Sequence, residues 1–293
     1  MARAETVSAV FSHAAPKPRD DELDMFGITH PGKVRSENQD HFLLCTVHPQ
    51  VVIHGTSLPD PDSLPLRGQR LATIMMVADG VGGGAAGGEA SQLALATLTR
   101  YVANSLRSYH AAGTSGEEEF QTALRVAALE AHDAVKEAAR GDAKKRATTL
   151  TLGIAVWPWL YVVQVGDSRC YYYWDGDLRQ VTTDQTMAQD LVARGALPPE
   201  RAATSPFSHV LSSAIGGSEA TPEVSRVDIR RRGCVLLLCT DGLTKHVSDA
   251  EIAERLGTMP NSEQMARALL DLALERGGND NITILIGRAP PSV

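Results

Sequence analysis

Segments with helical and strand-like patterns come in groups in this chain, and that grouping narrows the folds open to it. Two helical segments follow one another, about Gly87–Ser108 and Glu117–Arg140. Four strand-like segments come next, Thr148–Val156, Leu160–Val165, Ser168–Trp174 and Leu178–Thr182, with tight turns between them. Val235–Cys239 then precedes a second helical pair near Asp249–Leu256 and Glu263–Glu275, and Ile282–Ile286 closes the pattern. A βαβ chain would place single helices between single strands. Runs of strands separated by helix pairs predict an α+β layered fold with antiparallel sheets.

Local signals sharpen this reading. Trp174-Asp-Gly-Asp177 is the strongest hairpin signal. In the second helix Phe120, Leu124, Ala127, Ala131 and Val135 recur at helical spacing and predict one buried stripe. A capping box at Ser115-Gly-Glu-Glu118 is expected to open that helix, and Gly141 to stop it. Upstream, Phe42–Val47, Val51–His54 and Leu71–Ala78 read as strands, with a Pro-rich loop at 57–65 and a longer insert at 48–70. Residues 1–22, rich in Ala, Pro and charge, read as a loose arm.

Composition excludes several functions. The 293 residues carry a net charge of −7, so no basic excess is available to neutralise a nucleic-acid backbone. No apolar stretch reaches membrane-spanning length and the first twenty residues lack a signal-peptide core, which makes the cytoplasm the expected location. Cys45, Cys170, Cys234 and Cys239 are too sparse for a disulfide framework and read as reduced core thiols. Gly82-Gly-Gly-Ala-Ala-Gly87 formally matches a dinucleotide fingerprint, but the helix after it is followed by another helix, so no βαβ unit surrounds it. Arg230-Arg-Arg232 reads as a solvated turn or a docking patch for an acidic partner.

Aspartates at the ends of apolar strands carry the chemical signal. Asp79 ends Ile74–Ala78, Asp241 follows Leu236–Thr240, Asp167 lies between two strands, and Asp280 stands just before the last one. Each alone is compatible with a routine turn. Gathered at one sheet edge they would repel, and a pair of hard divalent cations such as Mg²⁺ or Mn²⁺ is the natural counter-charge. Spacing alone leaves that convergence open. Arg35 is of the type that grips phosphate bidentately, and beside a dinuclear site it suggests phosphate-ester chemistry.

In order along the chain stand Arg35-x-x-Asn38-x-Asp40, Val77-Ala-Asp-Gly80, Ala147-Thr-Thr-Leu150, Val165-Gly-Asp-Ser-Arg169, Leu238-Cys-Thr-Asp-Gly-Leu243 and Asp280-Asn-Ile-Thr283. With these six motifs the chain resembles the metal-dependent Ser/Thr protein phosphatases of the PPM, or PP2C, class in their bacterial form. The resemblance implies a four-layer αββα sandwich of two antiparallel sheets flanked by helix pairs, over residues 23–289, with a flap at about 186–215. It implies that Asp79 bridges two Mn²⁺ or Mg²⁺ ions, that the Gly80 carbonyl binds one, and that Asp241 and Asp280 hold the other. Asp40 would accept hydrogen bonds from water on the ions, Arg35 would clamp the phosphate, and Asp167 with Asp241 would hold a weaker third ion. The implied reaction is hydrolysis of phosphoserine and phosphothreonine by a metal-activated bridging water without a phosphoenzyme. Substrates would be phosphoproteins, a Ser/Thr kinase among them, acted on by a monomer. The alternative is an inactive module that keeps the fold for binding. Two departures stand out. Val81 occupies the place of a His in animal members, leaving the leaving-group acid unassigned, and Gln39 stands where some members carry a carboxylate.

Overall fold

The computed structural model describes residues 16–60, 63–82, 85–112, 116–140 and 146–290. Strand β3 (Ala72–Ala78) and strand β11 (Val235–Cys239) are buried at every residue. A strand with no solvent face needs cover on both sides, and each supplies one apolar set for each side. Ile74, Met76 and Ala78 of β3 join one apolar cluster, while Met75 and Val77 join another. In β11 Leu236 and Leu238 share the second cluster with Met75 and Val77, and Val235, Leu237 and Cys239 turn to a third. Three apolar layers therefore separate four layers of structure.

The first sheet runs β10 (Glu223–Asp228), β7 (Trp159–Val165), β6 (Leu150–Val156), β3, β2 (His41–Val47). The second runs β1 (Asp24–His30), β12 (Ile282–Arg288), β11, β8 (Arg169–Trp174), β9 (Asp177–Gln180). Every adjacent pair is antiparallel. On the first sheet lie α1 (Ala85–Ala112) and α2 (Glu117–Ala138), the latter through the predicted stripe of Phe120, Leu124, Ala127, Ala131 and Val135. On the second lie α5 (Asp249–Thr258) and α6 (Ser262–Glu275) through Ile252, Leu256, Met265, Leu269 and Ala273. The expected αββα sandwich is the observed one. At the β8–β9 hairpin Trp174 pairs with Asp177, and Asp175 and Gly176 both take positive φ (49° and 86°), as the tightest hairpin turn requires.

Several local expectations fail. Val51–His54 forms no strand; Gln50 makes a single bridge to Arg67, and Val51 and Val52 are exposed, so this apolar run has no sheet to join. Strands β1 and β10 were not anticipated. At α2 Gly116 is the N-cap with no side-chain bond; Ser115, on which the expected capping box rests, and Gly141 lie outside the described residues. A capping box forms at α5, between Ser248 and Glu251. The described part of the expected arm is packed rather than loose, because Arg70 pairs with Asp20 and donates to the Pro18 carbonyl (2.7 Å). Nor are the three arginines a merely solvated turn. Arg230 pairs with Asp228, Arg231 lies 4.3 Å from the Trp174 ring centroid, and Arg232 reaches Glu22 at 3.3 Å. No helix among the described residues is long and apolar enough to cross a membrane.

All four cysteines are free, and three are buried. Burial pushes the Cys234 thiol up to about 11 and the Cys239 thiol up to about 12, far above the range in which a thiolate forms at neutral pH. In a disulfide-exchange assay on the native chain, Cys45 should react first. Cys170, Cys234 and Cys239 should react only as denaturant opens the sandwich, and rapid native-state labelling of all four would contradict this packing.

Candidate metal and phosphate site

Antiparallel pairing sets the C-terminal end of one strand beside the N-terminal end of its neighbour. Asp79 follows β3, Asp40 precedes β2, Asp280 lies two residues before β12, Asp241 opens the one-turn helix α4 (Asp241–Thr244) after β11, and Asp167 sits in the β7–β8 turn. All five therefore fall at one end of the sandwich. An open cavity of about 520 Å³ there is lined by Asp79, Asp167, Asp241 and Asp280, with Arg35 at its rim.

The backbone holds these groups rigidly. The Asp79 amide donates to Thr149 Oγ1 (3.0 Å), and its carbonyl accepts from Thr148 Oγ1 (2.8 Å) and the Thr149 amide (2.9 Å). Asp40 Oδ2 accepts from Thr240 Oγ1 at 2.8 Å and Thr283 Oγ1 at 2.7 Å, so a residue of the first sheet is tied to two residues of the second. Two glycines make the close approaches. A Cβ on Gly80 would lie 2.4 Å from the Gly87 backbone, and one on Gly242 would lie 1.9 Å from the Asn281 carbonyl oxygen. The second contact fixes Asp241 against Asp280.

Crowding shows in the acidities. Burial, then the charges of Asp40, Asp241, Asp167 and Asp280, hold the Asp79 carboxyl well above the usual carboxylate range. Burial and the Asp241 and Asp184 charges push Asp167 up to about 7. Asp40 is pushed up to about 6, chiefly by burial, with the two threonine hydroxyls pulling the other way. Asp280 shifts down instead: burial opposes its charge, but Lys245 and Arg35 outweigh it. Arg35 grips it with two bonds, Nε to Oδ1 at 2.9 Å and Nη2 to Oδ2 at 3.0 Å. Lys245 Nζ lies 2.9 Å from Asp280 Oδ2 and 2.6 Å from Asp241 Oδ2.

The donor set fits divalent cations. It is made of hard carboxylate oxygens, and Asp40 Oδ1 and Asp241 Oδ1 are buried acceptors with no hydrogen-bond partner. Arg35 and Lys245 offset two of five negative charges. Among the described residues no three His, Cys, Asp or Glu side chains are already closed into a cation-holding group, and Lys245 stands between two of those in question. Arg35, Asp40, Asp79, Gly80, Asp167, Asp241 and Asp280, the residues expected to handle metal and phosphate, are thus all at this end of the molecule. Lys245 and His209, which also line the cavity, were missed. Lys245 had a legible signal, since it stands four residues after Asp241, one helical turn on. His209 had none. Val81 is exposed on the cavity wall. Gln39 is fixed through its backbone, with its amide donating to Asn281 Oδ1 (2.9 Å) and its carbonyl accepting from Ser91 (2.6 Å).

Two antiparallel sheets between helix pairs, with a carboxylate cluster at their strand ends, define the class. Residues 55–277 match the protein phosphatase 2C family. The chain is 35% identical over 215 residues to the serine/threonine protein phosphatase PstP of Mycobacterium tuberculosis, covering 73% of this chain and 40% of that protein's length. It is 30% identical over 261 residues to the serine/threonine phosphatase stp of Listeria monocytogenes, covering 88% of this chain and 92% of the relative. The crystal structure of the PstP catalytic domain in complex with two manganese ions superposes with a TM-score of 0.68 at 29% identity, over 92% of this chain and 98% of that one. The chain belongs to the protein phosphatase 2C family.

Gly242→Ala should separate the Asp241 turn from the Asp280 loop. The expected cost is about 1–3 kcal/mol of stability in urea denaturation without metal, as for overpacking elsewhere. Unchanged stability and unchanged Mn²⁺ binding would show that the close approach is not needed.

Proposed function

We propose that this chain is a metal-dependent phosphatase that hydrolyses phosphoserine and phosphothreonine in proteins, a Ser/Thr kinase among them, as a monomer in the cytoplasm. One observation carries the reading: four aspartates line an open cavity with Arg35 at its rim, Asp40 is buried behind them, and Asp40 and Asp241 each keep a buried acceptor oxygen with no partner. Family membership and the PstP structure with manganese support the same chemistry.

In this reading Asp79 would serve both cations, the Gly80 carbonyl would hold one of them, and Asp241 and Asp280 would hold the other, Mn²⁺ or Mg²⁺ in either place. When bound, the cations supply Lewis-acid charge and a water acidic enough to act as nucleophile at neutral pH. The chain's own residues do the rest. Asp40, locked by Thr240 and Thr283, turns Oδ1 toward the centre as a fixed acceptor that orients water. Arg35, whose side chain is 57% exposed, presents its N–H groups to the phosphate and neutralises the oxygens as charge builds in the displacement. Asp167 lines both the main cavity and the adjoining one under the flap, where a weaker third ion would sit. A cavity this open admits a phosphorylated side chain carried on a protein.

Purified chain, stripped with chelator and resupplied with Mn²⁺ or Mg²⁺, should hydrolyse an aryl phosphate and a phosphothreonine peptide. Asp79→Asn and Asp241→Asn should each lower kcat/KM by about 10²-fold or more, the scale of losing one element of transition-state charge stabilisation. Arg35→Ala should raise KM more than it lowers kcat. Mn²⁺ binding without turnover in the folded wild-type chain would establish the binding module instead.

A further inference from the structure

We propose that Lys245 is a resident counter-cation of this centre, competing with a divalent cation for the Asp241–Asp280 pair. This rests on the reading that these two carboxylates share a cation. The geometry leaves the ammonium and that cation one place between them. Lys245 Nζ touches Oδ2 of both carboxylates, at 2.6 and 2.9 Å. Its own backbone is fixed, because the Lys245 amide donates to the Asp241 carbonyl (2.9 Å) in the same helical turn. The two acids cannot spread to admit a second positive centre, since Gly242 packs directly on the Asn281 carbonyl.

The stem of Lys245 has somewhere to go. It lines the main cavity and also the adjoining one, where Asp167 supplies further negative charge and Asp184 is already paired with Arg169. Uptake of the cation therefore displaces the ammonium toward Asp167, without expelling a positive charge from the site. Arg35 does not take this role. It reaches Asp280 alone, from the exposed rim, and leaves Asp241 to the lysine. Two consequences follow. Without metal, Lys245 holds together the two acids that would otherwise repel. With metal, it weakens the cation bound at Asp241 and Asp280 relative to its partner ion, and beside Asp167 it disfavours any third.

Calorimetric titration of chelator-stripped chain with Mn²⁺, wild type against Lys245→Met and Lys245→Gln, tests this. Thermal unfolding is measured alongside, in chelator and in Mn²⁺. In both variants the weaker Mn²⁺ site should tighten by about tenfold or more, the scale of removing one close competing charge. The metal-free melting temperature should fall while the Mn²⁺-induced rise in melting temperature grows. A variant that folds only with Mn²⁺ also supports the proposal. Unchanged or weaker Mn²⁺ binding in both variants, with two ions still bound, overturns the lysine's role and leaves the dinuclear centre standing. Failure of the folded wild-type chain and of both variants to bind two ions overturns the dinuclear centre, and this inference falls with it.

Discussion

Mutual repulsion among Asp40, Asp79, Asp167, Asp241 and Asp280 is the constraint around which the rest of this molecule is arranged. Like charges at this separation destabilise one another, and burial makes each costlier still. The chain answers with three kinds of neighbour. Threonine hydroxyls donate to Asp40, a bidentate arginine holds Asp280, and a lysine spans Asp241 and Asp280. None of these cancels the charge completely. A residual negative charge is left at the cavity, on hard oxygen donors.

So unfavourable a cluster is sustained by the apolar layers behind it. β3 and β11 contribute side chains to both of their faces, and the clusters on either side of each sheet lie directly beneath the acidic rim. Strain and charge at a functional edge are tolerated where the surrounding structure is over-determined. Here the over-determination comes from strands buried at every residue and from glycines that let one turn rest on the next.

Much of this was legible in the residues. β3 and β11 announce themselves as unbroken apolar runs ending in Asp-Gly, the α2 stripe has helical spacing, and the β8–β9 turn has the Asp-Gly that its positive φ values demand. The six motifs pointed to the sandwich and to the site together. What escaped was structure whose cause is tertiary. β1 is partly buried along almost its whole length without alternation, because Gly27 lets it pack under Leu285 and Phe42. β10 is an edge strand whose one deeply buried residue is Val227. Val51–His54 has strand composition but no partner edge to pair with. Lys245 was passed over because attention to carboxylates leaves out the cations that hold them in place.

Asp40 is bonded to partners 200 and 243 residues further along the chain, and Asp280 stands just before the last strand. The centre cannot be assembled from either half of the chain. During synthesis, the ribosome must have released the chain to beyond Thr283 before that residue can reach Asp40. An incomplete nascent chain, or one cut short before β12, carries most of the fold's sequence and none of its chemistry. A closed Asp40–Thr283 bond therefore reports that long-range pairing has been completed.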